Sequence, residues 1–452
     1  MRVLLVQAFT AVDMELVYPI GPAYLAAHLP GHEVRIFDLN LHRQQPYAAL
    51  EQAIREFGPD VVGFSLRNMK VGMPHLHTDD FEPQRRAVET AARVAPGVPI
   101  IAGGTAFSLY ARPMMERLPG LRCGVFGEAE HRLPLLLERL DCPWDVPGVW
   151  HRRGGELAFS GMPPVVDFAA LEPPRRDLVP LEPYAASSFV SIGVQAKRGC
   201  ELNCIHCSDT YLAGHRVRMR DPVHVVDEVE FLVRERGVRE LFFCDQMFNL
   251  PSDHAIAICQ EIVARKLELR WSAWFNEHRA TLSDELLSWV KRAGCALLSF
   301  SPDHVDDRML ARLDKNFRQE DLHHTYRAAK RHGLDVEYSF FLNAPGETPS
   351  SLLSIFTFLA RARWHLGPSL RAFTLLMLQP IRIYPHTRLA ELAIAEGLIA
   401  ADDDLIAART WNPGPMRHAV RGIQAGLKLA YRGREAVRRQ RGEAFGSLGG
   451  AG

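Results

Sequence analysis

Three cysteines lie close together in the stretch KRGCELNCIHCSD, which spans residues 197–209. Cys200, Cys204 and Cys207 follow a C-x3-C-x2-C spacing, and no fourth cysteine lies nearby. A [4Fe-4S] cluster has four irons and ordinarily takes four thiolates. With three thiolates, one iron keeps an open coordination position. Such an iron can bind a chelating amino acid group and pass an electron into it.

A structural zinc site is the alternative for the same cysteines. Zinc in such sites takes four ligands, commonly from two pairs of Cys or His residues. His206 or His215 would have to complete the set here, around an unusual cysteine spacing. A zinc-stabilised binding protein without catalytic activity therefore stays open as a further alternative.

The segments around the cysteines alternate between apolar strands and helical patterns. Six βα-like units follow one another across residues 189–380. Six units are more than another open sheet usually contains and fewer than the eight of a closed (β/α)8 barrel. The pattern therefore predicts a partial (β/α)6 barrel similar to a TIM barrel. The cysteines follow its first strand, at the end where such barrels carry their active sites.

Residues 1–140 contain five further βα units. Their strands are apolar throughout, which is typical of a parallel sheet covered by helices on both faces. We therefore expect a doubly wound, Rossmann-like α/β domain that binds its ligand at the carboxyl ends of the strands. A dinucleotide site needs G-x-G-x-x-G after the first strand, and QAFTAV at residues 7–12 contains no glycine. NAD is therefore not expected.

Two other segments complete the predicted organisation. Residues 141–188 are proline-rich and contain a hairpin pattern, GVWHRRGGELAFSG, which indicates a linker. Residues 381–452 are predicted to form a helical C-terminal segment with a basic tail. Between Arg417 and Arg441 the sequence contains eight Lys or Arg and one Glu. A solvated helix is the simpler interpretation of the tail. Contact with a membrane surface or an acidic partner is the alternative.

Composition excludes some classes of partner and location. The chain has 53 basic and 53 acidic residues in 452, so no overall field attracts nucleic acid. No stretch reaches the roughly 18 apolar residues of a membrane span, and the start MRVLLVQAFT is unlike a secretory signal. We therefore expect a cytoplasmic protein with a small-molecule, lipid or peptide substrate. Eight cysteines in a chain of this length do not form a disulfide framework.

The cysteine loop at the end of the first barrel strand resembles the signature of the radical S-adenosylmethionine (SAM) superfamily. In that family the free iron binds the amino and carboxylate groups of SAM, and electron transfer yields a 5'-deoxyadenosyl radical. The resemblance implies a [4Fe-4S] cluster held by Cys200, Cys204 and Cys207. It also implies an external electron donor such as flavodoxin or ferredoxin. His206 stands where the family commonly has an aromatic residue.

Further barrel positions resemble the SAM-binding segments of that family. Asp245 in LFFCDQMF matches the residue that meets the SAM amino group, although it could instead cap the following helix. Gly346 in LNAPGET matches the turn near the adenine. Ser301 and Asp303 in SFSPDH are candidates for the ribose contact. Arg279 is a candidate for the SAM carboxylate, with a surface ion pair as the alternative.

A doubly wound domain ahead of such a barrel resembles the cobalamin-binding subgroup of the superfamily. The matching stretches include PDVVGFSLRN, VPIIAGGTAFS and GVFGEAEHRLPLLL. The resemblance implies that small residues admit the nucleotide tail of cobalamin and that Ser65 lies near its base. The D-x-H-x-x-G loop of the best known cobalamin domains is missing, so we expect a lower face of cobalt without histidine. The implied cobalamin-binding residues are Ser65, Leu66, Arg67, Gly103, Gly104, Gly127 and Glu128.

Arg67 lies in SLRNMK, the loop expected below the corrin. A cation there cannot ligate cobalt and would disfavour additional positive charge, which would make methylated cobalt a better methyl donor. A phosphate or an acidic neighbour is the alternative partner of Arg67.

The resemblance implies a cobalamin-dependent radical SAM methyltransferase. One SAM would methylate cobalt to give methylcobalamin, and a second would supply the 5'-deoxyadenosyl radical. The methyl group would then reach an unactivated carbon of a small molecule, lipid or peptide. The alternative within the superfamily is a cobalamin-binding enzyme that performs a rearrangement, cyclisation or oxidation without methyl transfer.

Overall fold

Two mainly parallel sheets, each packed against helices, organise the chain in the computed structural model. The structure describes residues 1–8, 16–66, 81–187, 191–371 and 378–440. The predicted α/β architecture, with a doubly wound domain followed by a partial barrel, is confirmed. Arg67 lies outside the described residues.

The N-terminal sheet has seven strands in the order β2-β1-β3-β4-β5-β6-β7. Its strands are β1 (Arg2–Gln7), β2 (Glu33–Asp38), β3 (Val61–Ser65), β4 (Ile100–Gly103), β5 (Cys123–Val125), β6 (Val149–Arg153) and β7 (Glu156–Phe159). The first five pair in parallel. Val3, Leu4, Leu5 and Val6 are all buried, as expected for a strand covered on both faces.

Helices cover both faces of this sheet. They are α1 (Ile20–Ala27), α2 (Pro46–Phe57), α3 (Phe81–Val94), α4 (Thr105–Leu109), α5 (Ala111–Arg117) and α6 (Arg132–Glu138). In α2, Pro46 occupies the first turn, where its missing N–H costs nothing. The same helix ends at Gly58, which adopts the left-handed conformation with φ 55°.

The hairpin expected in the proline-rich segment forms and joins the N-terminal sheet. β6 pairs antiparallel with β5, and β7 pairs antiparallel with β6. The segment assigned to a linker thus extends the first sheet at its edge. It then continues through a short helix, α7 (Glu182–Ala185), toward the barrel.

Six parallel strands form the second sheet, in the order β15-β14-β13-β12-β11-β8. They are β8 (Gly193–Val194), β11 (Glu240–Phe243), β12 (Arg270–Phe275), β13 (Cys295–Asp303), β14 (Asp335–Phe341) and β15 (Leu378–Gln379). Between β8 and β11 lies a short antiparallel ladder of β9 (Lys197–Arg198) and β10 (Arg218–Met219).

The helices of the barrel lie between its strands along the chain. They are α8 (Asp209–Ala213), α9 (Pro222–Glu230), α10 (Ser252–Ala264), α11 (Asp284–Arg292), α12 (Asp307–Arg312), α13 (Gln319–His332) and α14 (Pro349–Leu366). Several begin at a capping side chain: Asp221 accepts from the N–H of Val223, and Ser283 accepts from that of Leu286. The outward strand face packs aromatic rings against them, as Tyr338 does against Phe358 at 5.1 Å.

The C-terminal segment packs against both domains. It contains β16 (Ile381–Ile383) paired antiparallel with β17 (Arg409–Trp411), and the helices α15 (Arg388–Ala395) and α16 (Met416–Gln440). Trp411 and Leu389 are buried in the same apolar cluster as the N-terminal sheet. Val420 of α16 is buried in the cluster that contains the barrel strands.

Among the described residues, no helix is both long enough and apolar enough to cross a membrane.

Candidate functional site

The cysteine loop leaves β9 and ends at α8. Gly199 starts it with φ 93°, and a Cβ there would lie 2.3 Å from the carbonyl oxygen of Arg216, so only glycine fits. The N–H of Ile205 donates to the carbonyl of Leu313, and the N–H of Leu389 donates to the carbonyl of Ile205. The loop is therefore held from two sides, by the end of α12 and the start of α15.

The three thiols of the loop influence one another. Burial, with a smaller contribution from the charge of Cys204, raises the pKa of Cys200 to about 11. Burial likewise raises the pKa of Cys207 well above its usual range, with the charges of Cys204 and Cys200 adding to it. Because iron binding needs thiolates, loading the site releases protons. The loop carries the three thiols that a [4Fe-4S] cluster with one open iron requires. No group of His, Cys, Asp and Glu in the described ranges is arranged to hold a single metal ion.

A buried ion pair lies beside Cys204. The Lys315 ammonium is 2.5 Å from Asp303 Oδ2 and donates to the Ser301 carbonyl at 2.9 Å. Its charge lowers the pKa of the Cys204 thiol, against the larger effect of burial. The His206 ring lies 3.3 Å from the same Asp303 oxygen. Ser301 and Asp303, the ribose candidates, thus share one lysine near the cysteine loop.

Asp245 follows β11 and is almost fully buried. Its Oδ1 accepts from the N–H groups of Ala196 at 2.8 Å and Lys197 at 3.0 Å, whereas its Oδ2 has no partner among the described residues. Burial raises the pKa of Asp245 to about 6. The carboxyl does not cap α10, which begins seven positions later at Ser252. A buried carboxylate oxygen without a partner fits an ammonium group such as that of SAM.

Two other SAM candidates have protein partners. Arg279 is half-exposed, donates to Asp321 at 2.8 Å and also pairs with Glu320. Gly346 has φ 76°, and a Cβ there would lie 1.4 Å from the Arg312 guanidinium, so this turn passes directly under an arginine.

A cavity of about 280 Å³ lies between the two sheets. Five of the residues implied for cobalamin line it, namely Ser65, Gly103, Gly104, Gly127 and Glu128. From the barrel side it is lined by Gln195, Arg198, Asp209 and Gln246. The cavity therefore connects the carboxyl ends of the N-terminal strands with the region of the cysteine loop.

We call Gly103, Gly104 and Gly127 the glycine floor of this cavity. At Gly104 it has no room for a side chain. Gly104 has φ 91°, and a Cβ there would lie 2.6 Å from the carbonyl oxygen of Leu66, which is buried behind it. The Ser108 hydroxyl donates to the Gly104 carbonyl at 2.9 Å and accepts from the Gly127 N–H at 2.8 Å. Glycine is therefore required at position 104 by the neighbouring backbone, and it lines the cavity that the resemblance implies for the nucleotide tail of cobalamin.

Several buried charged residues of the site were not singled out from the sequence. Lys197 is 1 % exposed, donates to the carbonyls of Phe248 and Leu250, and has its pKa lowered to about 8 by burial. Glu277 is also buried, and burial raises its pKa to about 8. Lys197 lies three residues before the first cysteine of the motif, so its position was a usable signal. Glu277 and Lys315 carry no such signal.

Comparisons with known families agree with this arrangement. Residues 8–137 match the B12 binding domain, and residues 194–359 match the radical SAM superfamily. An uncharacterized methyltransferase of Pyrococcus horikoshii is 26 % identical over 386 residues, which cover 84 % of this chain and 79 % of the relative. Cytidylyl-2-hydroxyethylphosphonate methyltransferase of Streptomyces wedmorensis is 25 % identical over 384 residues, with 73 % and 69 % coverage.

A solved structure shares the fold. It is the radical SAM methyltransferase TsrM from Kitasatospora setae, with tryptophan and a SAM analogue bound. The TM-score is 0.73 at 22 % identity, covering 87 % of this chain and 76 % of that one. Fold and site thus define a protein in which a B12-binding domain precedes a radical SAM barrel. The two matches confirm the predicted resemblance to the cobalamin-binding radical SAM proteins.

Proposed function

We propose that the protein is a cobalamin-dependent radical SAM methyltransferase that methylates an unactivated carbon. The observation that carries the proposal is the shared cavity, whose walls come from both domains. Methyl transfer of this kind needs a corrinoid and a cluster-bound SAM on the same substrate. A cavity that connects the glycine floor with the cysteine region supports that geometry. The two relatives named above are both methyltransferases.

When bound, cobalamin supplies a methyl carrier, and the cluster together with SAM supplies a carbon radical. The chain's own residues hold and orient these groups. Cys200, Cys204 and Cys207 hold the cluster, and the free Oδ2 of Asp245 accepts from the SAM ammonium. Gly103 and Gly104 let the cobalamin tail approach the backbone. The barrel wall around these residues is buried, which excludes water from a reactive intermediate.

The finer assignments are also proposals. We infer a small-molecule substrate because one relative acts, by its name, on a cytidylyl phosphonate and the similar structure holds tryptophan. An external donor such as flavodoxin or ferredoxin would reduce the cluster in the cytoplasm. The proposed domain limits are 1–140, 141–188, 189–380 and 381–452, and Arg67 remains the proposed residue below the corrin.

A substrate-free experiment tests the function. Anaerobically reconstituted protein with cobalamin is reduced and given SAM with a deuterated methyl group. We expect labelled methyl on the extracted cobalamin and an equal amount of S-adenosylhomocysteine. We also expect 5'-deoxyadenosine from the SAM that is cleaved at the cluster. Formation of 5'-deoxyadenosine without S-adenosylhomocysteine would instead support the rearrangement, cyclisation or oxidation alternative. Zinc in place of iron and sulfide would support the non-catalytic alternative.

A further inference from the structure

Two glutamates of the B12-binding domain and two arginines of the barrel form a buried ion-pair cluster. We define this interdomain cluster as Glu128, Glu130, Arg198 and Arg218. Arg198 Nη1 is 3.1 Å from Glu128 Oε1 and 2.7 Å from Glu130 Oε1. Arg218 Nη1 is 2.6 Å from Glu128 Oε2. Two positive and two negative charges therefore balance across the domain boundary.

Aromatic rings and backbone groups from other segments enclose the interdomain cluster. The Arg198 guanidinium lies 4.3 Å from the ring centroid of Phe168 and 5.2 Å from that of Tyr24. Arg218 also donates to the carbonyl of Val166 at 2.7 Å. Helix α1, the loop after β5, the proline-rich segment and the β9–β10 ladder thus meet at these four charges.

Glu128 has both carboxylate oxygens engaged within this cluster. Its Oε1 accepts from Arg198 at 3.1 Å and from Arg218 Nη2 at 3.0 Å, and its Oε2 accepts from Arg218 Nη1 at 2.6 Å. Two bonds from one guanidinium make the pair with Arg218 bidentate, which fixes orientation as well as distance. Glu128 lines the cavity, but its bonds are directed at the barrel.

The interdomain cluster connects the two halves of the site by short chain distances. Glu128 follows Gly127, whose N–H is bonded to the Ser108 hydroxyl on the cavity floor. Arg198 precedes Cys200 by two residues, and its Nε also donates to Gln195 at 3.0 Å. A shift of the loop after β5 would therefore pull on the start of the cysteine loop.

We propose that the interdomain cluster sets the position of the cysteine loop relative to the corrinoid cavity, with Glu128 and Arg198 as positioning residues and not as cofactor ligands. The inference rests on the proposed function for its consequence, because methyl transfer requires the corrinoid and the cluster at a fixed separation. The ion pairs themselves do not depend on it.

The test replaces Glu128 by glutamine, which keeps the shape and removes the charge. Wild type and Glu128→Gln are loaded with iron, sulfide and cobalamin, then reduced so that both cob(II)alamin and the cluster are paramagnetic. Two such centres at fixed separation broaden each other's EPR signals, and the broadening falls steeply with distance. Glu240→Gln, which removes an exposed ion pair with Arg270, is the matched control.

We expect Glu128→Gln to retain iron and cobalamin within twofold of wild type and to lose or alter the mutual EPR broadening. We also expect it to reduce methyl transfer from SAM to cobalamin at least tenfold in the substrate-free assay. The control should match wild type in all three measurements. An unchanged EPR spectrum in Glu128→Gln overturns the inference, as does a tenfold loss of cobalamin affinity with intact broadening, because Glu128 would then be a cofactor contact.

Other outcomes separate this inference from the proposed function. If Glu128→Gln does not fold, Arg218→Gln is measured instead, since it leaves both contacts of Arg198 to the glutamates in place. Broadening in wild type that Glu128→Gln loses, without any methyl transfer in wild type, would contradict the proposed function while supporting the inference. Absence of broadening in fully loaded wild type would overturn the inference directly.

Discussion

Asp245 accepts a hydrogen bond from the backbone N–H of Lys197 at 3.0 Å, and this bond joins the end of β11 to the strand just before the cysteines. The same oxygen accepts from Ala196, so one half of the carboxylate is used for structure. The other half is buried without a partner in the described chain. Asp245 therefore has a structural role and a free oxygen near the cysteine loop at the same time.

Replacing Asp245 by asparagine should stabilise the fold at neutral pH. The folded-state pKa of Asp245 is raised from 3.8 to about 6 by burial, so ionisation costs stability as pH rises from about 4 to 6. At about 1.4 kcal/mol per unit this cost is about 3 kcal/mol, and a new buried amide costs about 1–2 kcal/mol. We expect a net gain of about 1–2 kcal/mol above pH 6 and a net loss near pH 4. Urea unfolding of the metal-free protein at both pH values measures it.

The same substitution should weaken SAM binding at least tenfold, because asparagine cannot offer a charge to the ammonium. In the wild type, affinity should fall as pH drops below about 6, by as much as tenfold per unit, as the carboxyl of Asp245 becomes protonated. Equilibrium dialysis of labelled SAM against reconstituted protein measures both effects. A flat pH profile between 5 and 7, or unchanged affinity in Asp245→Asn, would remove Asp245 from the SAM site.

Loading of the [4Fe-4S] cluster should require each cysteine of the motif and should not require a cysteine outside it. Cys204→Ala should lose the broad absorbance near about 400 nm and all 5'-deoxyadenosine formation, because the cluster loses one of its three protein ligands. Cys142→Ala is the control, since this free and partly exposed cysteine lies beyond the motif. Iron and sulfide analysis after anaerobic reconstitution measures the outcome. Full iron content in Cys204→Ala would contradict the assignment.

Gly104→Ala should destabilise the B12-binding domain. Its φ of 91° is unfavourable for a side chain, and the new Cβ would lie 2.6 Å from a backbone oxygen. We expect a loss of about 2 kcal/mol or more and weaker cobalamin binding. Gly422→Ala is the control because that helical position has open space, so it should be neutral or stabilise by up to about 1 kcal/mol. Denaturant unfolding and corrinoid absorbance titration separate the two.

Arg279→Gln tests whether that arginine reaches SAM. In the structure its guanidinium is half-exposed and already paired with Asp321 and Glu320. Because these two carboxylates already engage the guanidinium, we expect SAM affinity within twofold of wild type. The dialysis assay used for Asp245 measures it. A tenfold loss of affinity would show that Arg279 leaves its surface partners to bind the SAM carboxylate.

The architecture could be predicted because its signals are local. Buried strands such as Arg2–Gln7 are apolar on both faces, and the cysteine spacing places three ligands on one loop. The hairpin was also visible as a pattern, but its pairing with β5 was not, because an antiparallel edge strand reads the same wherever it attaches.

The buried charges of the site could not be predicted in the same way. Lys315 meets Asp303 across twelve residues, and Glu128 meets Arg218 across ninety. An isolated charged residue in a sequence most often lies in solvent, and only the folded chain shows which of them is buried with a partner. Asp245 was found because its own segment, LFFCDQMF, resembles a SAM-binding segment of the family. Its division into one bonded and one free oxygen required the structure.

The contacts of Arg198 and Glu128 join the two halves of the site, so binding of the corrinoid and binding of the iron–sulfur cluster are thermodynamically linked. Bound corrinoid changes the affinity of the protein for iron by some factor. Bound iron must then change the affinity for the corrinoid by the same factor. Where that factor exceeds one, assembly favours the fully loaded and the empty forms over those that carry only one of the two prosthetic groups.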